Sequence, residues 1–346
     1  MSPIIRGCDR EQLDYFILHT GQHYSYNMDR VFFEQLELPE TKYNLDVGSG
    51  SQGEQTGKIL IGIEKVLMKE QPDVVLVEGD TNTVLAGALA ATKLHINVGH
   101  VEAGLRSYDR RMPEEINRIL TDHSSDLLFA PTEKSRQVLL KEGIDNKKIF
   151  VTGNTIVDAI FQNLELAQNK SNILHELELE KQGYFLVTVH RQENVDNKDR
   201  FQDILNGLKR IGRNYDLPVV YPIHPRAKKN FKEFHLESNE IIFIEPLDYL
   251  NFIQLEHNAK LVLTDSGGVQ EEACILSTPC VTLRDNTERP ETIDIKSNIL
   301  AGTVPENIVN SVSIMVNTKR DWQNPYGGGK AANKIIEIVM NSNNRK

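Results

Sequence analysis

Twice along this chain, short apolar runs alternate with segments of helical period, and that repetition admits few folds. In the first half the runs fall at residues 15–20, 73–77, 97–101, 126–130 and 148–151, with helices predicted over 82–94, 114–122 and 133–142. A polar stretch, 168–179, reads as a boundary or bridging helix. The pattern then restarts, with runs at 184–189, 218–221, 241–244, 260–263 and 280–283 and helices over 199–213, 249–258 and 269–276. Parallel strands need crossovers of a dozen or more residues, which this spacing supplies. The prediction is α/β: two Rossmann-like, doubly wound domains with a cleft between them, over residues 1–166 and 167–328. Asn324-Pro325-Tyr326-Gly327-Gly328-Gly329-Lys330 is a strong turn, and the apolar-periodic helix after it (329–342) is expected to pack back on the first domain.

A chain of 346 residues is too long for one ordinary domain and comfortable for two. Its net charge of −10 disfavours a nucleic-acid partner, which calls for a basic footprint. The three cysteines, Cys8, Cys274 and Cys280, have neither metal spacing nor the even count of a disulfide framework, so buried reduced thiols are expected. No basic segment leads into an apolar run at the N-terminus, and no stretch approaches the ~20 apolar residues of a membrane span. A cytoplasmic location is expected. Of ten histidines, only His19 and His23 lie four apart, and Gly21 between them breaks any shared helix face, so no metal site is predicted.

Ligands in such sheets bind beyond the carboxyl ends of the strands, and the chemistry-bearing residues cluster there. Glu78-Gly79-Asp80-Thr81 follows one strand, and Gly99-His100-Val101-Glu102-Ala103-Gly104-Leu105-Arg106 closes the next. Asp80 alone reads as a helix cap. With His100 and Glu102 on an adjacent strand about 4.8 Å away, it becomes part of an ionisable crevice suited to acid–base work. Glu114 and Arg118, in Pro113-Glu114-Glu115-Ile116-Asn117-Arg118, are four apart; with Ile116, Ile119, Leu120 and His123 as the buried stripe, they point the other way and, taken alone, read as a solvated ion pair sooner than as cleft-facing groups. In the second half, His190 ends a strand and runs into Arg191-Gln192-Glu193-Asn194, and His224 ends another. Ser266-Gly267-Gly268 sits between a strand and a helix, where small residues and free N–H groups accept a phosphate. Arginines of Arg284-Asp285-Asn286-Thr287-Glu288-Arg289 can pair with diphosphate oxygens. No G-x-G-x-x-G follows a strand and there is no Walker loop, which disfavours dinucleotide or ATP chemistry.

In this order, with Thr264-Asp265-Ser266-Gly267-Gly268-Val269-Gln270-Glu271-Glu272 and the Asn324 turn, the motifs resemble the non-hydrolysing UDP-N-acetylglucosamine 2-epimerase family across nearly the whole chain. The resemblance implies a GT-B-like fold, a homodimer, no cofactor and no metal. It implies interconversion of UDP-GlcNAc and UDP-ManNAc, a precursor that commonly feeds polysaccharide biosynthesis. UDP leaves by anti elimination to give 2-acetamidoglucal and adds back with the C2 proton on the other face. By motif, Asp80, Glu102 and Glu114 correspond to the acid–base carboxylates and His190 to the histidine beside the leaving group. Arg118, Ser266, Gly267, Gly268, Glu272 and Arg289 correspond to substrate contacts, and Phe252 to the residue flanking uracil.

The family begins with a strand and a Gly-Thr-Arg-Pro-Glu-x-x-Lys loop, whereas Met1-Ser2-Pro3-Ile4-Ile5-Arg6 fits the helix after that loop. Because the absent strand would be central, the expectation is that the true start lies upstream. Gln22-His23-Tyr24-Ser25 lacks the last glutamine of a segment tied to activation by substrate. Two other readings stand beside the epimerase: a sugar-nucleotide binder impaired by the missing loop, and a glycosyltransferase on the same fold.

Overall fold

The computed structural model describes residues 1–21, 33–34, 36–287 and 289–343. The chain forms two compact units, Met1–Ala159 with Tyr326–Lys346, and Ile160–Pro325. The segment 22–25 and Glu288 lie outside the described residues.

The first unit carries a four-stranded parallel sheet in sequence order: β3 (Val74–Glu78), β4 (Asn97–Val101), β5 (Leu127–Ala130) and β6 (Ile149–Val151). β1 (Leu18–His19) and β2 (Tyr43–Asn44) form a separate parallel pair. Helix Gln52–Glu70, which periodicity did not predict, starts where Ser51 accepts the Glu54 N–H and ends at Gln71 in the left-handed region. Glycines hide it in the sequence. Gly62 is needed for packing, because a Cβ there would lie 2.7 Å from Leu45 Cδ1. The last helix, Ala331–Asn343, packs through Ile335 and Ile336 against Ile4, Val101 and Phe129. Its two leading N–H groups, at Ala331 and Ala332, are accepted by the Asp158 carboxylate of helix Thr155–Lys170, each at 3.1 Å.

The second unit is built on six parallel strands in the order β12-β11-β10-β7-β8-β9. These are β7 (Phe185–Thr188), β8 (Val219–Pro222), β9 (Ile241–Ile244), β10 (Leu261–Thr264), β11 (Cys280–Thr282) and β12 (Asn298–Leu300). The chain leaves β7 in one direction and returns on its other side at β10, so the strand order reverses between these two neighbours. β10 is buried along its whole length, as expected for a strand covered on both faces. Helix Lys198–Tyr215 lays Phe201, Ile204, Leu205, Leu208 and Ile211 into one cluster with Val219 and Val281. Its N-terminus is capped by the Asn197 side chain. Burying each of those large side chains contributes about 1.5–3 kcal/mol.

Candidate active site

In the first unit, polar side chains gather where β3 and β4 end. Asp80 is 2.5 Å from Arg118, and Arg118 also holds Glu115 at 2.9 Å. Asn117 donates to the Asp80 carbonyl, which ties helix Pro113–Ser124 to the turn after β3. Glu102 follows β4 with φ +71°, and its carboxylate lies beside Gly79, 3.7 Å from where a Cβ would stand. A left-handed glutamate costs on the order of 1–3 kcal/mol and persists only where surroundings enforce it.

Asp122 holds the residues on either side of Glu102. Fully buried, it accepts from the Gly104 N–H at 3.2 Å and from Arg106 at 2.7 Å, and it is 2.6 Å from His100 Nδ1. The other ring nitrogen of His100 faces the Gly79 carbonyl at 2.9 Å. One aspartate thus staples both strand-end turns, while Glu142 shares the Arg106 guanidinium with it. Sequence reading did not single it out, because an aspartate on a polar helix face carries no local mark.

The same helix corrects an expectation. Its buried residues are Glu115, Asn117, Thr121 and Asp122, whereas Leu120 and His123 are exposed and Ile116 and Ile119 only half-buried. The interior here is polar because the turns after β3 and β4 present backbone groups that must be satisfied. Arg118 is therefore not the solvated partner of Glu114. Glu114 sits in the first turn, half-buried, and enters no ion pair among the described residues. Glu115 accepts the N–H groups of Ser107 and Tyr108, each at 2.9 Å. Burial pushes its pKa up, but those donors and Arg118 outweigh burial and leave it below the usual carboxylate range.

In the second unit the candidate residues converge on the switch between β7 and β10. Asp265, wholly buried, accepts from the backbone of His190 and Arg191 and from Asn194, and its carboxylate is 3.1 Å from His190 Nδ1. Burial raises the Asp265 pKa, yet His190 and the Arg191 N–H lower it further, to below its ordinary value. This fixes the ring and turns Nε2 of the partly exposed His190 outward. The His224 ring lies 5.7 Å away and caps helix Pro225–Glu233.

Ser266 caps helix Gly267–Ile275. The nearest atom to a Cβ built on Gly268 is 3.9 Å away, so nothing in the chain itself requires that glycine, in keeping with a ligand that approaches the backbone. Arg289 is bound to Glu271 at 2.9 Å, and Phe252 packs half-buried beside Leu255 and Val262. Glu272 lies half-buried next to Tyr249 and Glu256. Among the described residues no group of His, Cys, Asp or Glu is arranged to hold a metal ion, and no helix is long and apolar enough to cross a membrane.

These are the surroundings in which the chain meets its relatives. A UDP-N-acetylglucosamine 2-epimerase from Methanocaldococcus jannaschii is 58% identical over 346 residues, covering 98% of this chain and 94% of that protein. The solved structure of a UDP-GlcNAc 2-epimerase from the same organism superposes with a TM-score of 0.91 at 57% identity, covering 98% of this chain and 95% of the other. A second structure of it, in complex with UDP-GlcNAc and UDP, gives a TM-score of 0.81 at 58% identity and the same coverage. The two-unit α/β fold is thus of the GT-B-like type that the motifs implied. The family model described as UDP-N-acetylglucosamine 2-epimerase matches residues 6–340, and the chain belongs to that family.

Proposed function

We propose that the chain interconverts UDP-GlcNAc and UDP-ManNAc without cofactor or metal. The observation that carries this reading is the relative solved with UDP-GlcNAc and UDP, alike to this chain over 98% of its length. In the proposed reaction UDP departs by anti elimination, giving 2-acetamidoglucal, and adds back after protonation at C2 on the opposite face. Asp80, Glu102 and Glu114 supply the acid–base groups; the first two flank the same strand-end turns. Arg118, clamped between Asp80 and Glu115, holds the Asp80 carboxylate in place.

On the nucleotide side, the Ser266 side chain and the N–H groups of Gly267 and Gly268 receive the diphosphate at a helix N-terminus. His190, oriented by Asp265, stands beside the leaving group, where an imidazole can neutralise developing charge. Glu272 accepts the ribose hydroxyls, Arg289 contacts the nucleotide and Phe252 flanks the uracil.

A homodimer in the cytoplasm completes the reading. Met112, Ile116, Ile119 and Leu120 leave apolar surface uncovered on helix Pro113–Ser124 and its cap, as a subunit interface would require. The free thiols of Cys8, Cys274 and Cys280 suit a reducing compartment. Incubation with UDP-GlcNAc in deuterium oxide should yield UDP-ManNAc carrying deuterium at C2. Absence of both product and exchange would overturn the assignment.

A further inference from the structure

Behind Glu272 lies a carboxyl group that no cation balances. Glu256, on helix Tyr249–Asn258, is fully buried and enters no ion pair among the described residues. Neither of its oxygens meets a hydrogen-bond donor, so as a carboxylate it would be doubly unsatisfied. Its polar partner is Glu272, one helix over and half-buried, which also receives the Tyr249 hydroxyl. Tyr249 is in turn held by Asn163.

Two touching carboxyl groups in a dry setting cannot both be charged, and sharing one proton resolves both problems. Burial first, then the charge of Glu272, raises the Glu256 pKa far above the ordinary range. The proton therefore sits on Glu256, the deeper member; burial raises Glu272 too, to about 7, so above neutrality the charge lies on Glu272, the less buried of the two. The other ionisable groups around the pair are Tyr249 on the same helix, Cys280 on β11, and Glu271, whose charge Arg289 meets. None supplies a positive charge to Glu256.

We propose that Glu256 is a positioning residue for nucleotide recognition: as a neutral acid it donates its proton to Glu272 and holds that carboxylate charged and oriented for the two hydroxyls of a ribose. The proposal rests on the reading that Glu272 faces the ribose. A carboxylate that accepts two vicinal hydroxyls must be fixed about its terminal torsion, and donors at Glu256 and Tyr249 fix it from behind. When alkali strips the shared proton, Glu272 faces a second negative charge at contact distance and loses that donor. Uridine nucleotide affinity then falls.

The test is calorimetric titration of the full chain with UDP, from mildly acidic to alkaline pH, on wild type, Glu256→Gln, Glu256→Met and Glu272→Ala. Wild type should gain affinity up to neutrality, as Glu272, whose pKa burial raises to about 7, ionises, and should weaken again in alkali as the shared proton is lost. Glu256→Gln, which keeps a donor without a titratable proton, should hold its affinity in alkali, where wild type loses it. Glu256→Met, apolar and of similar volume, should bind UDP about tenfold more weakly at neutral pH, since the hydrogen bond to a charged acceptor is gone. A Met variant that matches wild type in affinity and pH profile would overturn the positioning role. Should the Met variant fail to fold, a Gln profile falling as steeply as wild type overturns it alone. Glu272→Ala binding UDP as wild type does would instead overturn the nucleotide-site reading beneath it.

Discussion

Replacing Asp122 by alanine should loosen the first unit and misplace Glu102. The side chain is fully buried and serves three partners: the Gly104 N–H, the Arg106 guanidinium and the His100 ring. Breaking a buried pair by removing one partner costs about 3–5 kcal/mol, mostly because the remaining charge is stranded. Here Glu142 still meets Arg106 at 2.6 Å, which places the expected loss at the lower end, about 3 kcal/mol. In a unit of this size that is a fall of roughly 6–12 °C in the melting midpoint. Differential scanning calorimetry of the whole protein is the right assay, because the single tryptophan, Trp322, lies in the second unit and reports on that unit only. Asp122→Asn, which keeps one acceptor, should lie between wild type and alanine. The activity readout should follow: epimerisation falls sharply in both variants while UDP affinity stays near wild type. An alanine variant melting within about 2 °C of wild type would refute the reasoning, since on the slope above that is less than about 1 kcal/mol.

Three further outcomes are expected. Asp80→Asn should slow deuterium exchange at C2 by about 10²–10⁴-fold, the usual contribution of a positioned acid or base, with UDP affinity nearly unchanged by calorimetry. Gly104→Ala should destabilise the first unit by more than about 2 kcal/mol in calorimetric melting, because the residue has φ +81° and its Cβ would stand 2.4 Å from the Ser135 carbonyl oxygen. Asp265 is held below its ordinary pKa in the fold, so its contribution to stability is present above the unfolded value and is lost as pH falls through the folded one. Asp265→Asn should therefore be less stable than wild type at neutral pH by about 1–3 kcal/mol. The gap, followed by Trp322 fluorescence in urea, should shrink in acid; a gap that widened on acidification would contradict the sign.

Most of the secondary structure was legible before the fold was seen. Strands such as Asn97–Val101 and Ile241–Ile244 are apolar runs with clear ends, and helix Tyr249–Asn258 has a capping aspartate at Asp248. Elements with weak local signals escaped. Strand Asn298–Leu300 has three residues, and helix Gln52–Glu70 carries three glycines that lower its propensity. The Ser266 turn and His190 were legible because a motif at a strand end is a local fact.

Sequence by itself determined the α/β class, the order of its elements and the strand ends at which ionisable residues stand, since periodicity and turn chemistry act over a few neighbours. Tertiary structure alone decided which face of Pro113–Ser124 turns inward, that Asp122 serves Gly104 and Arg106, that Asp158 caps a helix 173 residues away, and that Glu256 meets Glu272. Each is a polar group buried to satisfy or restrain another that is distant along the chain. Hydrophobic periodicity records only what leaves water; it holds no trace of which polar groups must leave with it, or of the partners that receive them.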